Sequence, residues 1–470
     1  MKKYDLIVIG TGSAMNTVGP FLERNPGAKI AVIDKDPPGG ICLTKGCIPT
    51  KLLVYPAELI RLMEDSGGLG VHFKIDRIDF QSVMNRMRSL VQPEIESIRK
   101  SLSESKGIDY YAEPARFTGP YALRVGKVAI GSDMIFLCLG SRPRIPAIEN
   151  LDSVKYYTSD SILEIDRPPA DMVIGGGGYI AAEYGHFFSA MGVKVTIVGR
   201  NSRFLPEEEP EVSALAQKEM SRHMGILTGH EVFAVQREVS GKIMIRAVDR
   251  LSGKKISIPA DVLLLAAGRE STADLLHPEK SGVRTDRNGW VLVNQYLETT
   301  QRNIWALGDA VGVHPFKHVA NYESQILYYN AVLKEKIPVD YHAVPHAVFA
   351  YPEIAAVGLK EKEAVERYGV DRVLIGFQRY EDTAKGQAMG VRDYFVKVIV
   401  EDETARILGA HVIGPQASVL IQELITLMYT RDQTIHPIVK AMHIHPALSE
   451  VIGNAVADLM PVDQYHRLFS

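Results

Sequence analysis

The chain has 470 residues, of which 46% are hydrophobic and 23% charged, and its formal net charge is −3. The near-neutral charge argues against binding to nucleic acid or to a membrane surface. No apolar run approaches the roughly 20 residues that a membrane-spanning helix needs. The run Met1–Gly10 is too short for a signal peptide, so we expect a cytoplasmic protein. At about 150 residues per domain, the length predicts three domains.

The order strand, glycine-rich turn, helix, strand occurs twice along the chain. Tyr4–Ile9 and Ala28–Ile33 are predicted as the first two strands. Met172–Ile174 and Val193–Val198 form the second pair, with a predicted helix over Ile180–Met191 between them. This order opens a doubly wound βαβ unit. The repetition predicts two Rossmann-like dinucleotide-binding domains of the α/β class.

The first glycine-rich turn runs from Gly10 to Met15. Gly10 and Gly12 permit a tight turn and the close approach of a pyrophosphate to backbone N–H groups. Met15 stands where a small residue is usual. Asp34, at the end of the second strand, is placed to hold a pair of ribose hydroxyls. A plain βα turn with a surface aspartate is the alternative interpretation.

The second turn has the pattern Gly-x-Gly-x-x-Ala, in which Gly176 and Gly178 are the glycines. The strand that follows lacks the terminal acid expected for NAD. Arg200 and Arg203 stand instead where a 2′-phosphate would lie, so charge complementarity favours NADPH. The alternative is that both arginines are simply solvated.

Cys42 and Cys47 are separated by four residues, a spacing that predicts a small loop on one helical turn with the sulfurs close enough to bond. Pro49 suits the first turn of a helix, whose N-terminus lowers a thiol pKa. A zinc site would need two further ligands. The third cysteine, Cys138, lies in an apolar stretch and is predicted to be buried. A redox pair is therefore favoured over a structural disulfide or a metal site.

The last 130 residues or so have no phosphate-binding turn and are predicted to form an α+β domain suited to oligomerisation. The predicted strands are Ala347–Gly358, Arg372–Phe377, Tyr394–Val400 and Ile407–Ile413, and the predicted helices are Ala417–Thr430 and Ala447–Leu459. Earlier in the chain, hairpin turns are predicted at Gly126, Gly241 and Gly253.

The segment Gly39–Lys51, which holds both cysteines, resembles the active-site signature of the class I pyridine nucleotide–disulfide oxidoreductases. The other motifs follow in the order of that family along the whole chain. The resemblance implies an FAD-binding domain over 1–148 and 268–340, an NAD(P)H-binding domain over 149–267 and a dimerisation domain over 341–470. It implies FAD and NADPH as cofactors, with NADH possible, and an obligate homodimer.

The resemblance also assigns roles around the flavin. Cys42 would be the interchange thiol that attacks a substrate disulfide, and Cys47 the thiol nearer the flavin. Lys51 and Glu183 match a charged pair beside the flavin, where positive potential favours the reduced ring. Tyr179 matches the aromatic gate over the nicotinamide pocket.

Three further motifs resemble later parts of the family pattern. Gly140, in Leu139–Pro143, lies in the connection that leaves the FAD-binding domain, and Gly268, in Ala266–Arg269, in the connection that returns to it. Asp309 ends the second FAD fingerprint, where the family's acid binds the ribityl chain.

The motif from His445 to Glu450 resembles the family's C-terminal acid–base pair, in which the histidine reaches the cysteines of the partner subunit. Ala447 stands where threonine is common, and Tyr351, before Pro352, replaces another frequent threonine. The spacing between the histidine and the glutamate is intact.

The resemblance implies an FAD-dependent NAD(P)H:disulfide oxidoreductase and leaves its substrate open. Gly10–Ser13, Ile180–Glu183 and Pro446–Leu448 are more similar to mycothione reductase, which favours NADPH-dependent reduction of a low-molecular-weight disulfide, as in mycothione or glutathione reductase. His443-Ile444-His445 is similar to dihydrolipoamide dehydrogenase, the alternative, which serves 2-oxoacid dehydrogenase complexes. The tail Pro461–Ser470 has no cysteine, unlike mercuric reductase. A third, remote hypothesis is a non-catalytic flavoprotein that binds a partner.

Overall fold

The structure is a computed structural model that describes residues 1–468. Its first unit is built on five parallel strands, in the spatial order Ile304–Ala306, Ile135–Leu137, Leu6–Ile9, Ile30–Ile33 and Ile108–Tyr111. The first four of these strands are short apolar runs with buried side chains, as parallel sheets require, whereas the edge strand Ile108–Tyr111 is half-buried. The helices of this unit are Met15–Arg24, Gly40–Thr44, Cys47–Asp65, Phe80–Glu104 and Lys317–Ala331.

A smaller sheet in the same unit pairs Lys2–Lys3, Val128–Gly131, Ala122–Val125 and Ala115–Gly119. The hairpin predicted at Gly126 joins two of these strands and is confirmed. The predicted strands Tyr4–Ile9 and Ala28–Ile33 both begin two residues later than expected, at Leu6 and Ile30.

The second unit repeats the parallel arrangement. Its strands are Tyr156–Thr158, Val262–Leu265, Asp171–Gly175, Lys194–Val198 and Gly225–Leu227, in that spatial order. Helix Tyr179–Ala190 packs against this sheet, and helix Pro210–Met220 contacts the strand Ile407–Ile413 in the C-terminal part of the chain. An antiparallel sheet of His230–Arg237, Ile243–Asp249 and Lys255–Ala260 has its turns at the predicted Gly241 and Gly253.

The two units are joined by a short antiparallel pair, Ser141–Pro143 with Arg269–Ser271. These strands are the outgoing and returning connections between the sheets. The helix that begins at Cys47, called here the cysteine helix (Cys47–Asp65), packs against helix Tyr179–Ala190 of the second unit. Phe187 and Phe188 are fully buried on that second helix. Burial of each such side chain stabilises the fold by roughly 1.5–3 kcal/mol.

The third unit is a six-stranded antiparallel sheet, in the order Pro345–Val348, Ile354–Gly358, Ile407–Ile413, Phe395–Glu401, Val373–Arg379 and Leu459–Pro461. Its helices are Glu361–Tyr368, Ala384–Met389, Ala417–Leu420, Gln422–Met428, His436–Lys440, Glu450–Ala457 and Val462–Arg467. The predicted α/β class with a C-terminal α+β domain is confirmed.

Three predictions for this unit were wrong in detail. The helix expected over Ala417–Thr430 is two helices, Ala417–Leu420 and Gln422–Met428. The single strand expected over Ala347–Gly358 is a hairpin, broken between Val348 and Ile354, where Pro352 has no N–H for a strand ladder. The helix expected to reach Leu459 ends at Ala457. Leu459 instead pairs with the strand Val373–Arg379, so a tertiary hydrogen-bond ladder prevails over the helical pattern.

The second and third units are also joined by a buried ion cluster. Lys397 of the third unit is 0% exposed, and its Nζ lies 3.2 Å from Glu209 and 2.7 Å from Glu361. Glu211 also accepts a hydrogen bond from this ammonium. In the described part of the chain, residues 1–468, no helix has the length and apolarity needed to cross a membrane.

Candidate active site

A cavity of about 870 Å³ lies where the three units meet. This volume is in the range of roughly 300–1,000 Å³ that is usual for small-molecule and cofactor sites. The predicted site residues that line it are Gly10, Gly12, Asp34, Cys42, Cys47, Lys51, Gly140, Tyr179, Glu183 and Asp309. The structure therefore brings together residues that are far apart in the chain.

The first glycine-rich turn forms one wall of the cavity. Gly10 has φ +105°, and a Cβ there would lie 2.0 Å from the carbonyl oxygen of Cys138. Cys138 itself is buried, as predicted. Gly12 faces Gly40, where a Cβ would lie 2.6 Å from the Cα of Gly12. Two backbone segments thus approach each other as only glycine permits.

Asp34 lies at the end of its strand and lines the same wall. Its Oδ2 accepts hydrogen bonds from the N–H and the hydroxyl of Thr11, at 2.9 and 2.6 Å. Burial raises the pKa of this carboxyl, and these hydrogen bonds oppose that effect. The side chain therefore also fixes the turn, a role that the sequence did not indicate.

The two cysteines lie on consecutive helices and not on one helical turn as expected. Cys42 is in the short helix Gly40–Thr44, whereas Cys47 is the first residue of the cysteine helix. Gly46 separates them with a non-helical backbone, φ −121° and ψ −117°. A Cβ on Gly46 would lie 3.0 Å from the carbonyl oxygen of Ile41, so the chain must turn sharply there.

The thiols of the cysteine pair have unequal acidity. Cys42 donates a hydrogen bond to the sulfur of Cys47, which raises the pKa of Cys42 and lowers the pKa of Cys47 to about 7. The positive charge of Lys51 lowers the pKa of Cys47 further. Cys47 is consequently the first of the two thiols to ionise.

Lys51 lies one turn after Cys47 on the cysteine helix and pairs with Glu183. Its Nζ is 2.8 Å from both carboxylate oxygens. Glu183 is only 6% exposed and also accepts a hydrogen bond from the backbone N–H of Phe349 at 3.1 Å. The Phe349 ring lies 4.4 Å below the ammonium. The pair therefore ties all three units together at the cavity wall.

Asp309 is held by a network that the sequence motifs did not reveal. The hydroxyl of Ser141 donates a hydrogen bond to Asp309 at 2.5 Å, and Arg269 donates to Ser141 at 2.6 Å. Arg269 also lies 3.7 Å from Asp160. Gly268, beside it, has φ +97° but does not line the cavity. Only the spatial pairing of the two connecting strands brings these groups together.

The second glycine-rich turn lies outside this cavity. Gly176 has φ +149°, and a Cβ there would lie 2.1 Å from the carbonyl oxygen of Ala266. No atom would lie within 4 Å of a Cβ on Gly178, so the turn is open on that side. Tyr179 begins the next helix, lines the cavity and is 40% exposed.

Arg200 and Arg203 follow the strand Lys194–Val198 and are exposed. Within residues 1–468, neither guanidinium has a carboxylate partner. Arg250, which the motifs did not single out, donates a hydrogen bond to the carbonyl oxygen of Arg200 at 3.2 Å. The surface that follows this strand is thus cationic, because no carboxylate among residues 1–468 pairs with the guanidinium groups of Arg200 and Arg203.

His445 and Glu450 form an oriented pair on the third unit. The Nδ1 of His445 lies 2.8 Å from Glu450, whose second oxygen accepts a hydrogen bond from the N–H of Ala447. The hydrogen bond with His445 lowers the pKa of Glu450. The His445 side chain is 72% exposed and does not line the cavity of the cysteines. Within one chain, the His445–Glu450 pair is therefore outside the cavity that the two cysteines line.

Comparison with known proteins identifies the family. The family described as pyridine nucleotide-disulphide oxidoreductase matches residues 4–334, and its dimerisation domain matches residues 344–456. The chain belongs to this family, whose members use FAD and NAD(P)H, and it is a flavin-dependent disulfide oxidoreductase. The matching dimerisation domain supports a homodimer.

Named relatives differ in substrate. The chain is 36% identical to mycothione reductase of Mycobacterium tuberculosis strain H37Rv, covering 98% of this chain and 100% of the relative. It is 31% identical to dihydrolipoyl dehydrogenase of Bacillus subtilis, covering 96% of this chain and 97% of the relative. Among solved structures, the Cu(II) complex of the HOCl-induced flavoprotein disulfide reductase RclA from Escherichia coli matches with TM-score 0.85, 26% identity and 97% and 99% covered.

The residues of the cavity fit FAD. The glycine pair Gly10 and Gly12 leaves the first turn without side chains at the point where a pyrophosphate would approach. Asp34 and Asp309 offer carboxylates at separate places on the wall, and the cysteines lie on the same wall. The cavity has room for a ligand of this size.

Proposed function

We propose that the protein is an NADPH-dependent reductase of a low-molecular-weight disulfide, of the mycothione or glutathione type, acting in the cytoplasm as an obligate homodimer. The observation that carries this proposal is the pair of unpartnered arginines, Arg200 and Arg203, where an NAD-specific enzyme would have an acid. The 36% identity to a mycothione reductase over nearly the whole chain supports it.

The binding roles follow from the placement of the side chains. Gly10, Gly12, Asp34, Gly140 and Asp309 are proposed to hold FAD. Gly176, Gly178, Tyr179 and Gly268 are proposed to bind NADPH together with the two arginines. Bound FAD would accept a hydride from NADPH and supply two electrons to the cysteine disulfide. Lys51, oriented by its ion pair with Glu183, offers positive potential where reduction adds negative charge.

The reduced cysteine pair then acts on the substrate. The thiolate of Cys42 attacks one sulfur of the substrate disulfide, forming a mixed disulfide and releasing the first thiolate. His445 of the partner subunit gives that thiolate a proton, while Glu450 of the partner subunit holds the imidazole ring. The thiolate of Cys47 then attacks Cys42, restores the internal disulfide and releases the second thiolate, which takes a proton from solvent. One substrate disulfide is thereby reduced to two thiols.

The outward orientation of His445 supports an active site shared across the dimer. Its imidazole is exposed beside Met442 and Ile444, which are 99% and 78% exposed. Apolar side chains so exposed are expected at a protein–protein interface. Binding of a second copy at this surface would cover them and carry His445 towards the other chain's cysteines.

Dihydrolipoamide dehydrogenase is the second candidate function. The relative with 31% identity and the His443-Ile444-His445 sequence favour it. His443 lies 3.3 Å from Glu423, so its ring is occupied by a separate carboxylate. A non-catalytic flavoprotein would have no need of the Lys51–Glu183 and His445–Glu450 pairs, and these favour an enzyme.

The deciding experiment is steady-state turnover of the purified holoenzyme, with NADH and NADPH crossed against lipoamide and a panel of small thiol disulfides. We expect NADPH to drive reduction of a hydrophilic disulfide such as mycothione or glutathione disulfide, with lipoamide a poor substrate. Fast NAD⁺-coupled oxidation of dihydrolipoamide would overturn the proposal and establish the second candidate.

A further inference from the structure

Lys317 is a cation in the cavity that none of the sequence motifs includes. It is the first residue of helix Lys317–Ala331, and its side chain lines the cavity together with the two cysteines. Its Nζ donates a hydrogen bond to the hydroxyl of Ser13, in the first glycine-rich turn, at 2.9 Å. Positive charge at a helix N-terminus opposes the helix dipole, so this position has a local cost.

The other cations of the cavity are all compensated. Lysines and arginines that line it have a carboxylate within 4.0 Å: Lys35 with Asp36, Lys45 with Asp36 and Asp160, Lys51 with Glu183, Arg142 with Glu270 and Arg269 with Asp160. Lys317 has no carboxylate partner in the described residues 1–468. Its ammonium is therefore available to an anion that forms or binds within the cavity.

We propose that Lys317 is a positioning residue for the disulfide exchange, whose ammonium stabilises the thiolate of Cys42. This inference deepens the proposed function and rests on its assignment of Cys42 as the attacking thiol. Cys47 ionises first, so a second negative charge on Cys42 forms beside a thiolate. A nearby cation without an acid of its own offsets that repulsion.

The surroundings of Cys42 agree with this role. The hydrogen bond to Cys47 and burial raise the pKa of Cys42, whereas the positive charge of Lys317 lowers it. Other charged groups that line the same cavity include Lys45, Asp36, Asp160, Lys51 and Glu183. Each of these is already in an ion pair.

The test is the pH profile of Cys42 alkylation by iodoacetamide in the dithiothreitol-reduced holoenzyme, with the modified cysteine located by mass spectrometry. Lys317→Gln keeps a donor for Ser13 and removes only the charge. We expect alkylation of Cys42 to be about tenfold slower at neutral pH, with the profile moved to higher pH. Lys317→Arg is expected to restore the wild-type profile.

Lys35→Met, which removes a paired lysine of the same cavity, is the matched control and should leave the profile unchanged. If the glutamine protein does not retain FAD, Lys317→Met is the second neutral variant. A profile identical to wild type in a neutral variant that holds FAD would overturn the proposal and leave Lys317 a structural role at the Ser13 turn. The readout involves neither nucleotide nor disulfide substrate, so it stands whichever nucleotide or substrate the turnover assay identifies.

Discussion

Lys51 and Glu183 are 132 positions apart, yet the ammonium of one lies 2.8 Å from both carboxylate oxygens of the other. Because Glu183 is almost completely buried, removal of its charge leaves Lys51 facing a neutral amide beside the cysteine helix. We expect Glu183→Gln to lower the free energy of unfolding by roughly 1–3 kcal/mol, a value reduced by the partial exposure of Lys51. Chemical denaturation of the holoenzyme measures this.

The exposed pair Lys362–Glu366 provides the control for that measurement. Glu366→Gln should change stability by less than about 0.5 kcal/mol, because an exposed pair is screened by solvent. Equal losses for the two variants would mean that the Lys51–Glu183 pair contributes no more than a surface ion pair.

Cys42→Ala should change the titration of Cys47. The hydrogen bond from Cys42 is the largest cause of the lowered pKa of Cys47, about 7. Without this donor, we expect the midpoint to rise from about 7 towards the ordinary thiol value of about 8.5, so less thiolate is present at neutral pH. The midpoint is measured from the pH dependence of the thiolate–flavin charge-transfer absorbance in the holoenzyme.

Cys138→Ala is the control for the thiol titration, because Cys138 is buried and is not among the groups that shift the pKa of Cys42 or Cys47. In the Cys138→Ala protein, the titration midpoint of Cys47 should equal that of the wild type. A midpoint that stayed near 7 in Cys42→Ala would assign the acidity of Cys47 to Lys51 and the helix N-terminus alone.

Arg200→Glu should alter nucleotide preference. Loss of a charge-assisted hydrogen bond to a 2′-phosphate costs roughly 1.5–3 kcal/mol, so we expect KM for NADPH to rise about 10- to 100-fold. KM for NADH should change little, because that nucleotide has no 2′-phosphate. Steady-state kinetics with both nucleotides, compared with the control Arg237→Glu on an exposed strand residue, measure the difference. Equal increases for NADH and NADPH would remove the phosphate role of Arg200.

A mixed dimer of Cys42→Ala and His445→Ala chains tests the shared site. Each parent homodimer should lose at least about 100-fold in disulfide reduction, since each lacks one group at both sites. In the mixed dimer, one site combines the intact cysteines of one chain with the intact His445 of the other. We expect that dimer to regain about half of the wild-type rate per dimer. Co-expression with two different tags isolates the mixed species, and no recovery would place both groups in one chain.

Local chemistry made much of this site predictable. The glycine-rich turns and the cysteine pair are short segments. Their backbone conformation, as at Gly10, and their reactivity, as at Cys47, follow from residues that are close in the sequence. The strands before and after the first turn, Leu6–Ile9 and Ile30–Ile33, are continuous apolar runs that lie within two residues of the predicted bounds.

Long-range pairing was not predictable in the same way. The placement of Lys317 beside Ser13 depends on how helix Lys317–Ala331 packs, and no periodicity encodes it. The strand at Leu459 exists because it pairs with Val373–Arg379. The two cysteines lie on separate helices because the backbone at Gly46 is not helical, at a point where a side chain would crowd the carbonyl oxygen of Ile41.

The burial of Lys397 among Glu209, Glu211 and Glu361 has a mechanical consequence. A hinge opening between the second and third units would separate the ammonium of Lys397 from the carboxylates of Glu209 and Glu211, and breaking such buried pairs costs several kcal/mol. The ion cluster therefore opposes hinge opening between these two units. In the proposed function, we therefore expect the nicotinamide ring to be admitted by movement of smaller parts, such as the Tyr179 side chain at the cavity wall.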